Sequence, residues 1–393
     1  MRLAAPGAPH LTYCTNIHAG DSWSEVRANV AAHVTAVKAR VAPDRPFGVG
    51  LRLSAAAAAA LDTPADLDAF RALLAEHDLY VFTMNGFPYG AFHGAPVKER
   101  VYRPDWTEDA RLAYTDRLAR LLADLLPPDC EGTISTVPGA YKDRVGTAAD
   151  VEAIARNLAA HVATLHDLRE RRGVTITLAL EPEPCCQLET VAETVAFFEE
   201  RLFPHLVPGL GRRASEQALR RHVGICFDAC HMAVEHEAPG HALATFAAHG
   251  IAVAKVQVSA GLAATIDGPD DIAALGAFAE DVYLHQVVER GPRGLLRWSD
   301  LPAALAAAAR EPRRRDWRIH FHVPLFRERL GRFASTQSYV RELLSVLRRE
   351  PATRHLEVET YTWDVLPEEY RREPIADAVA RELAWVVAEM TRQ

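Results

Sequence analysis

The feature that most constrains this chain is a repeat. A short apolar, β-branched run is followed by an amphipathic stretch, and the pair recurs along the sequence. Nine runs qualify as strands: residues 11–17, 47–54, 79–87, 133–138, 174–181, 223–228, 251–259, 318–325 and 355–363. Helical stretches lie between them, at 23–40, 64–76, 107–125, 147–171, 191–202, 301–310, 337–349 and 375–390. Strands separated by helices pair in parallel through right-handed crossovers. So many units favour closure, and the expected fold is α/β: a (β/α)8 TIM barrel, one domain over 1–393. Nine strands are one too many for it. The stretch 262–335, with an extra apolar piece at 282–288, is therefore read as an elaboration before the last strand, and 355–363 as the closing strand. Closure by 318–325, with the final unit as an appendage, is the alternative.

Composition narrows the function. A formal charge of -8 gives no reason to expect a nucleic-acid partner, and Arg313-Arg314-Arg315 reads as solvated surface. The six cysteines form no Cys-x-x-Cys pair, which suits free thiols in a reducing cytoplasm. The N-terminus does not read as a signal peptide, and the run Ala55–Ala60 is far short of a membrane span. No Gly-x-Gly-x-x-Gly follows an early strand, and there is no Walker phosphate loop.

In such barrels the active site lies where strands meet the loops that follow. Polar groups are dense there. One apolar run ends at Glu181-Pro182-Glu183, another at Asp228 with His231 three residues on, a third carries His320-Phe321-His322, and a fourth leads into Glu357-Val358-Glu359. Strand alternation places both members of each spaced pair on one face. Buried carboxylates and imidazoles carry a desolvation cost, which a divalent cation offsets by taking them as ligands. The bland alternative is a salt-bridged structural network.

These residues resemble a known superfamily. Leu-Ala-Leu-Glu-Pro-Glu-Pro at 178–184 looks like the fifth strand of xylose-isomerase-like sugar isomerases and epimerases. Cys-Phe-Asp-Ala-Cys-His-Met-Ala-Val-Glu at 226–235 looks like their sixth, 254–259 like the seventh and 356–360 like the eighth. A further resemblance covers nearly the whole chain. The segments His10-Leu-Thr-Tyr-Cys-Thr-Asn-Ile-His18, Phe47-Gly-Val-Gly-Leu-Arg-Leu-Ser54 and Asn85-Gly-Phe-Pro-Tyr-Gly90 resemble the EboE family, the so-called metabolite traffic proteins. So do Ile319-His-Phe-His-Val-Pro-Leu-Phe326 and His355-Leu-Glu-Val-Glu-Thr-Tyr-Thr-Trp363. That family name describes an operon phenotype, not a reaction. Its gene neighbourhood implies a small polar metabolite, such as a cyclitol.

The superfamily resemblance implies one divalent ion, Mn2+, Zn2+ or Mg2+, on Glu181, Asp228 and Glu359. The seventh-strand histidine of the superfamily is replaced by Gln257, so the fourth ligand is expected from His322, His285 or Gln257 itself. Glu181 and Glu359 are the expected acid–base pair, and His231, Glu183, His18, Asn85 and Gln257 the expected substrate contacts. Asn16, Arg52 and Lys142, at the ends of early strands, suit hydrogen bonds to a polyhydroxylated ligand or plain loop capping. Phe87, Tyr89, Tyr361 and Trp363 suit a pocket wall or core packing. The expected activity is isomerisation or epimerisation of a sugar or cyclitol. Metal-assisted hydrolysis and non-catalytic carriage of a metabolite are the alternatives. Partners beyond the metabolite would be a second copy of the chain or other proteins of the Ebo pathway, with no membrane insertion.

Overall fold

The computed structural model describes residues 1–392. Eight parallel strands form the barrel: β1 (His10–Tyr13), β2 (Phe47–Arg52), β3 (Leu79–Asn85), β4 (Gly132–Thr136), β5 (Ile176–Leu180), β6 (Val223–Asp228), β7 (Ala252–Val258) and β14 (His355–Val358). These strands are buried on almost every residue, because side chains fill the barrel inside and helices cover it outside. β14 pairs in parallel with both β7 and β1. The strand of 355–363 therefore closes the barrel, as expected. The remaining seam, between β1 and β2, is joined by a parallel bridge from Cys14 to Gly50. Thr12 crosses it too, donating its hydroxyl to Gly48 O and accepting from Gly50 N.

The ninth run belongs elsewhere. β11 (Arg315–Val323) lies in a second sheet with β8 (Ala260–Ile266), β9 (Val287–Gly291), β10 (Gly294–Trp298), β12 (Arg329–Leu330) and β13 (Phe333–Ser335). Its pairings are antiparallel. This sheet is the elaboration before the last strand, and the alternative closure by 318–325 is overturned by the pairing of β14. β7 runs into β8 across Ser259 alone, so one extended stretch leaves the barrel and enters the second sheet. The expected strand 251–259 was thus the first half of a longer excursion.

Two expected strands end early for a shared reason. The chain turns into 3-10 helix at Thr15–Ile17 after β1 and at Tyr361–Val365 after β14, folding across the barrel mouth. The two turns bring Asn16 and Glu359 within hydrogen-bond reach. Helices follow capping rules. Thr147 and Asp150 form a capping box for Ala148–Arg172, and Asp228 caps Ala229–Val234 by accepting from His231 N at 2.9 Å. Among the described residues no helix is long and apolar enough to cross a membrane.

Candidate metal centre

Three carboxylates leave the barrel at strand ends, two from neighbouring strands and the third from beyond β7. Glu181 follows β5, Asp228 ends β6 and Glu359 follows β14. All three are buried, and each offers an oxygen within 4.8 Å of the others'. Asn16 and Asn85 donate to Glu359 Oε1 at 2.8 and 3.0 Å. Ser259 donates to Asp228 Oδ1 at 2.8 Å. Glu181 Oε2 and Asp228 Oδ2 have no partner. Such a cluster needs positive charge. The buried Lys255 supplies only part of it: its charge acts on Glu181 and Glu359, but its ammonium is bound to Glu357 one layer deeper. Burial, with Glu359 and Asp228 beside it, pushes the Glu181 carboxyl well above the usual range. Burial, Asp228 and Glu357 do the same to Glu359.

Histidines complete the group. His231 lies in the first turn after β6, while His320 and His322 come from β11. The β11–β8 register slips between Ile319 and Val323, where the two histidines sit. Irregularities of this kind re-aim side chains near functional sites. The His231 ring lies 4.5 Å from that of His320 and 5.7 Å from that of His322, centroid to centroid. His322 Nδ1 faces Glu359 O at 2.9 Å, leaving a buried Nε2 without a partner. Asp228, His231 and His322 also place ligand atoms within 4.8 Å of one another. Burial lowers the pKa of all three imidazoles, which keeps them neutral and fit to coordinate. Orphaned carboxylate oxygens beside a neutral imidazole are a donor set that fits Mn2+, Zn2+ or Mg2+.

The group opens into a cleft whose empty volume, mouth included, is about 520 Å3. Glu181, Glu183, His231, His320 and Glu359 form its polar floor, and Asn85 lines it too. Phe87, Phe92, Tyr283 and Tyr361 give it aromatic walls. Lys98 ties the roof together, donating to Glu280 O, Tyr283 O and Asp300 Oδ2. Glu183 accepts from Tyr102 at 2.6 Å, and burial pushes its carboxyl up to about 8.

Other candidates lie elsewhere. His18 meets the Tyr13 hydroxyl at 2.9 Å and stacks on His33, outside the cleft lining. Gln257 is fully buried in the barrel, in register with Asp228 and Glu357, and neither of its amide atoms has a partner. His285 is committed to His320 O and Glu280. Arg52 binds Asp21, and Lys142 binds Glu189 and Glu193. Tyr89 and Trp363 are not cleft residues. Gln286, Tyr102, Tyr283 and Lys98 were not anticipated, because nothing local in sequence links the loop after β3 to the second sheet.

The fold is a (β/α)8 TIM barrel, and a carboxylate–histidine group gathers at its strand ends. Solved structures agree on the fold. A xylose-isomerase-like TIM barrel protein from Mycobacterium smegmatis, in complex with magnesium, aligns over 99% of both chains at 10% identity and a TM-score of 0.52. A xylose isomerase domain protein from Planctomyces limnophilus covers 97% of this chain and 96% of its own, at 13% identity and 0.51. No protein-family model matches the sequence, and no curated protein matches it.

Proposed function

We propose that the protein is a metal-dependent isomerase or epimerase acting on a small polyhydroxylated metabolite, a sugar or cyclitol. The observation that carries this reading is the buried trio of Glu181, Asp228 and Glu359, which meets the cleft through Glu181 and Glu359 and has no Lys or Arg bound to it. The trio would hold one divalent ion with His322. When bound, that ion polarises the substrate carbonyl and stabilises negative charge on its oxygen. Glu181 would take the proton from the carbon beside that carbonyl. Glu359, held through Oε1 by Asn16 and Asn85 and protonated from solvent in the cleft, would return that proton to the carbon skeleton, leaving Glu181 to release to solvent the one it took. Lys98, the one Lys or Arg lining the cleft among the described residues, is spent on Asp300. An uncharged ligand with an apolar face therefore fits better than a phosphorylated one. The resemblance to the EboE motifs supports a cyclitol and a place in the Ebo pathway.

The test is solvent-deuterium incorporation into candidate cyclitols and ketoses, run beside metal analysis. Glu181→Gln should abolish exchange while metal content falls less, since an amide can still offer its oxygen but not take a proton at neutral pH. Asp228→Asn should lower both together. Full exchange by Glu181→Gln would remove this Glu as the base. A second reading, a non-catalytic carrier, is favoured by Gln257 at the seventh strand. It predicts ligand binding with no exchange by the unmodified protein.

A further inference from the structure

The cleft is polar at one end only. On its floor, Asn16 Oδ1, Glu181 Oε2 and Glu183 Oε2 are buried without a partner, and all three residues line the cleft. Asn16 Nδ2 is held by Glu359 at 2.8 Å, so the amide oxygen is what remains for a ligand. Ligand hydroxyls suit all three oxygens, because a hydroxyl both donates and accepts. The walls offer nothing of the kind. Tyr283 sends its hydroxyl to His93 Nδ1 at 2.9 Å, and His93 is not a cleft residue. His93 accepts there because its Nε2 faces Asn16 O, a carbonyl, at 2.5 Å. Tyr102 donates to Glu183 Oε1 at 2.6 Å and accepts from Gln286 Nε2 at 2.9 Å. Tyr361 reaches down to His320 Nε2 at 3.3 Å, where His231 Nε2 also lies 3.1 Å away. Between these groups a ligand meets only the hydrocarbon and ring surface of Phe87, Pro88, Phe92, Val97, Val101 and Leu284. A ligand hydroxyl set against that surface leaves water and gains no partner, so each one there weakens binding.

We propose that the ligand is an amphiphilic ring. Neighbouring hydroxyls occupy the edge that meets Asn16, Glu183 and the carboxylate centre, and a deoxygenated, alkyl-bearing or aryl-bearing edge lies against Phe92, Val97 and Val101. The inference rests on the reading of this cleft as a polyol site and narrows its substrate class. A hexose or cyclitol hydroxylated on every carbon is then a poor ligand. A phosphorylated one is poorer still, because Lys98 is bound to Asp300 and no other Lys or Arg lines the cleft among the described residues.

The probes are cis-cyclohexane-1,2-diol and myo-inositol, which share a carbocyclic ring and differ in whether hydroxyls occupy one edge or the whole rim. Each is titrated by ligand-observed NMR into chelator-stripped protein and into protein supplied with Mg2+. The diol should bind about tenfold or more tightly than myo-inositol in both forms. Val101→Thr places a hydroxyl on the wall at nearly constant size and should narrow that ratio. Val97→Thr is the second variant if the first fails to fold. Myo-inositol binding as tightly as the diol overturns the inference, as does the absence of binding by either probe. A ratio unchanged in the folded threonine variants also overturns it. A diol preference in protein that neither retains metal nor exchanges substrate hydrogen upholds the inference and fails the proposed reaction.

Discussion

Lys255 and Glu357 form a 2.5 Å ion pair in which neither side chain reaches solvent. They stand two residues before Gln257 and Glu359 on adjacent strands, one layer below the candidate centre. Thr83 accepts a further hydrogen bond from Lys255 at 2.9 Å. Gly50 makes room for the pair, because a Cβ there would lie 1.9 Å from Glu357 Oε1 and 2.6 Å from Tyr13 O.

Breaking this pair from one side should be costly. Glu357→Gln leaves an uncompensated buried ammonium and is expected to lose roughly 3–5 kcal/mol, whereas Lys255→Met with Glu357→Leu should recover most of it. Gly50→Ala should cost about 1–3 kcal/mol or more through overpacking against backbone. Urea unfolding midpoints measure all three, and a Glu357→Gln variant as stable as the parent would contradict the account.

Asn85 and Asn16 both hold Glu359 Oε1, so they act on the centre through that carboxylate. Asn85→Ala should weaken affinity for the proposed ion by about 10–100-fold. Its unfolding midpoint without metal should fall as well, because Asn85 Oδ1 also accepts from Phe87 N at 3.0 Å. Metal titration followed by calorimetry reads the first effect. An unchanged affinity would show that Glu359 needs no such support.

The buried carboxyls give a sign to the pH dependence. Burial raises Glu181, Glu183 and Glu359, with Glu183 at about 8. The unfolded chain releases these protons near pH 4.3, so the metal-free fold binds more protons and loses stability as pH rises towards 8. The Met1 amine, which burial lowers to about 4, and the buried histidines work the other way, since they take up protons in the unfolded chain and not in the fold. The carboxyl share is therefore read by comparison: from pH 7 to 8.5 the metal-free midpoint should fall relative to that of Glu183→Gln, while the gain from added Mn2+ grows. The same pH dependence in both proteins would refute the assignment.

The roof over the cleft hangs on one ammonium. Lys98→Ala removes three contacts joining the loop after β3 to residues 280–300. Amide hydrogen exchange over 92–102 and 280–285 should quicken, with metal content unchanged. Equal protection in both forms would show that aromatic packing of Phe92, Tyr283 and Tyr361 holds the roof alone.

Sequence made the barrel legible because parallel strands buried on both faces stand out as apolar runs, each followed by a helix. Glu181, Asp228, His231 and Glu359 were legible because a carboxylate or imidazole ending an apolar run is conspicuous. What was not legible depends on contacts between distant segments. Asn85 read as a substrate contact, and it lines the cleft, but the hold of its amide on Glu359, 274 residues away in sequence, was not legible. Gln286 orients His320 from a loop with no pattern of its own. β8 escaped notice because Ala-Gly-Leu-Ala-Ala-Thr-Ile lacks the β-branched density that marked the barrel strands.

The second sheet also bears on how the molecule assembles. β14 must dock between β7 and β1, yet the whole antiparallel excursion separates it from β7 along the chain. Bringing those edges together costs loop-closure entropy unless the intervening sheet has already compacted. Ring closure is therefore a non-local step. Glu359 enters with the last strand, so the three carboxylates meet only once that closure is complete.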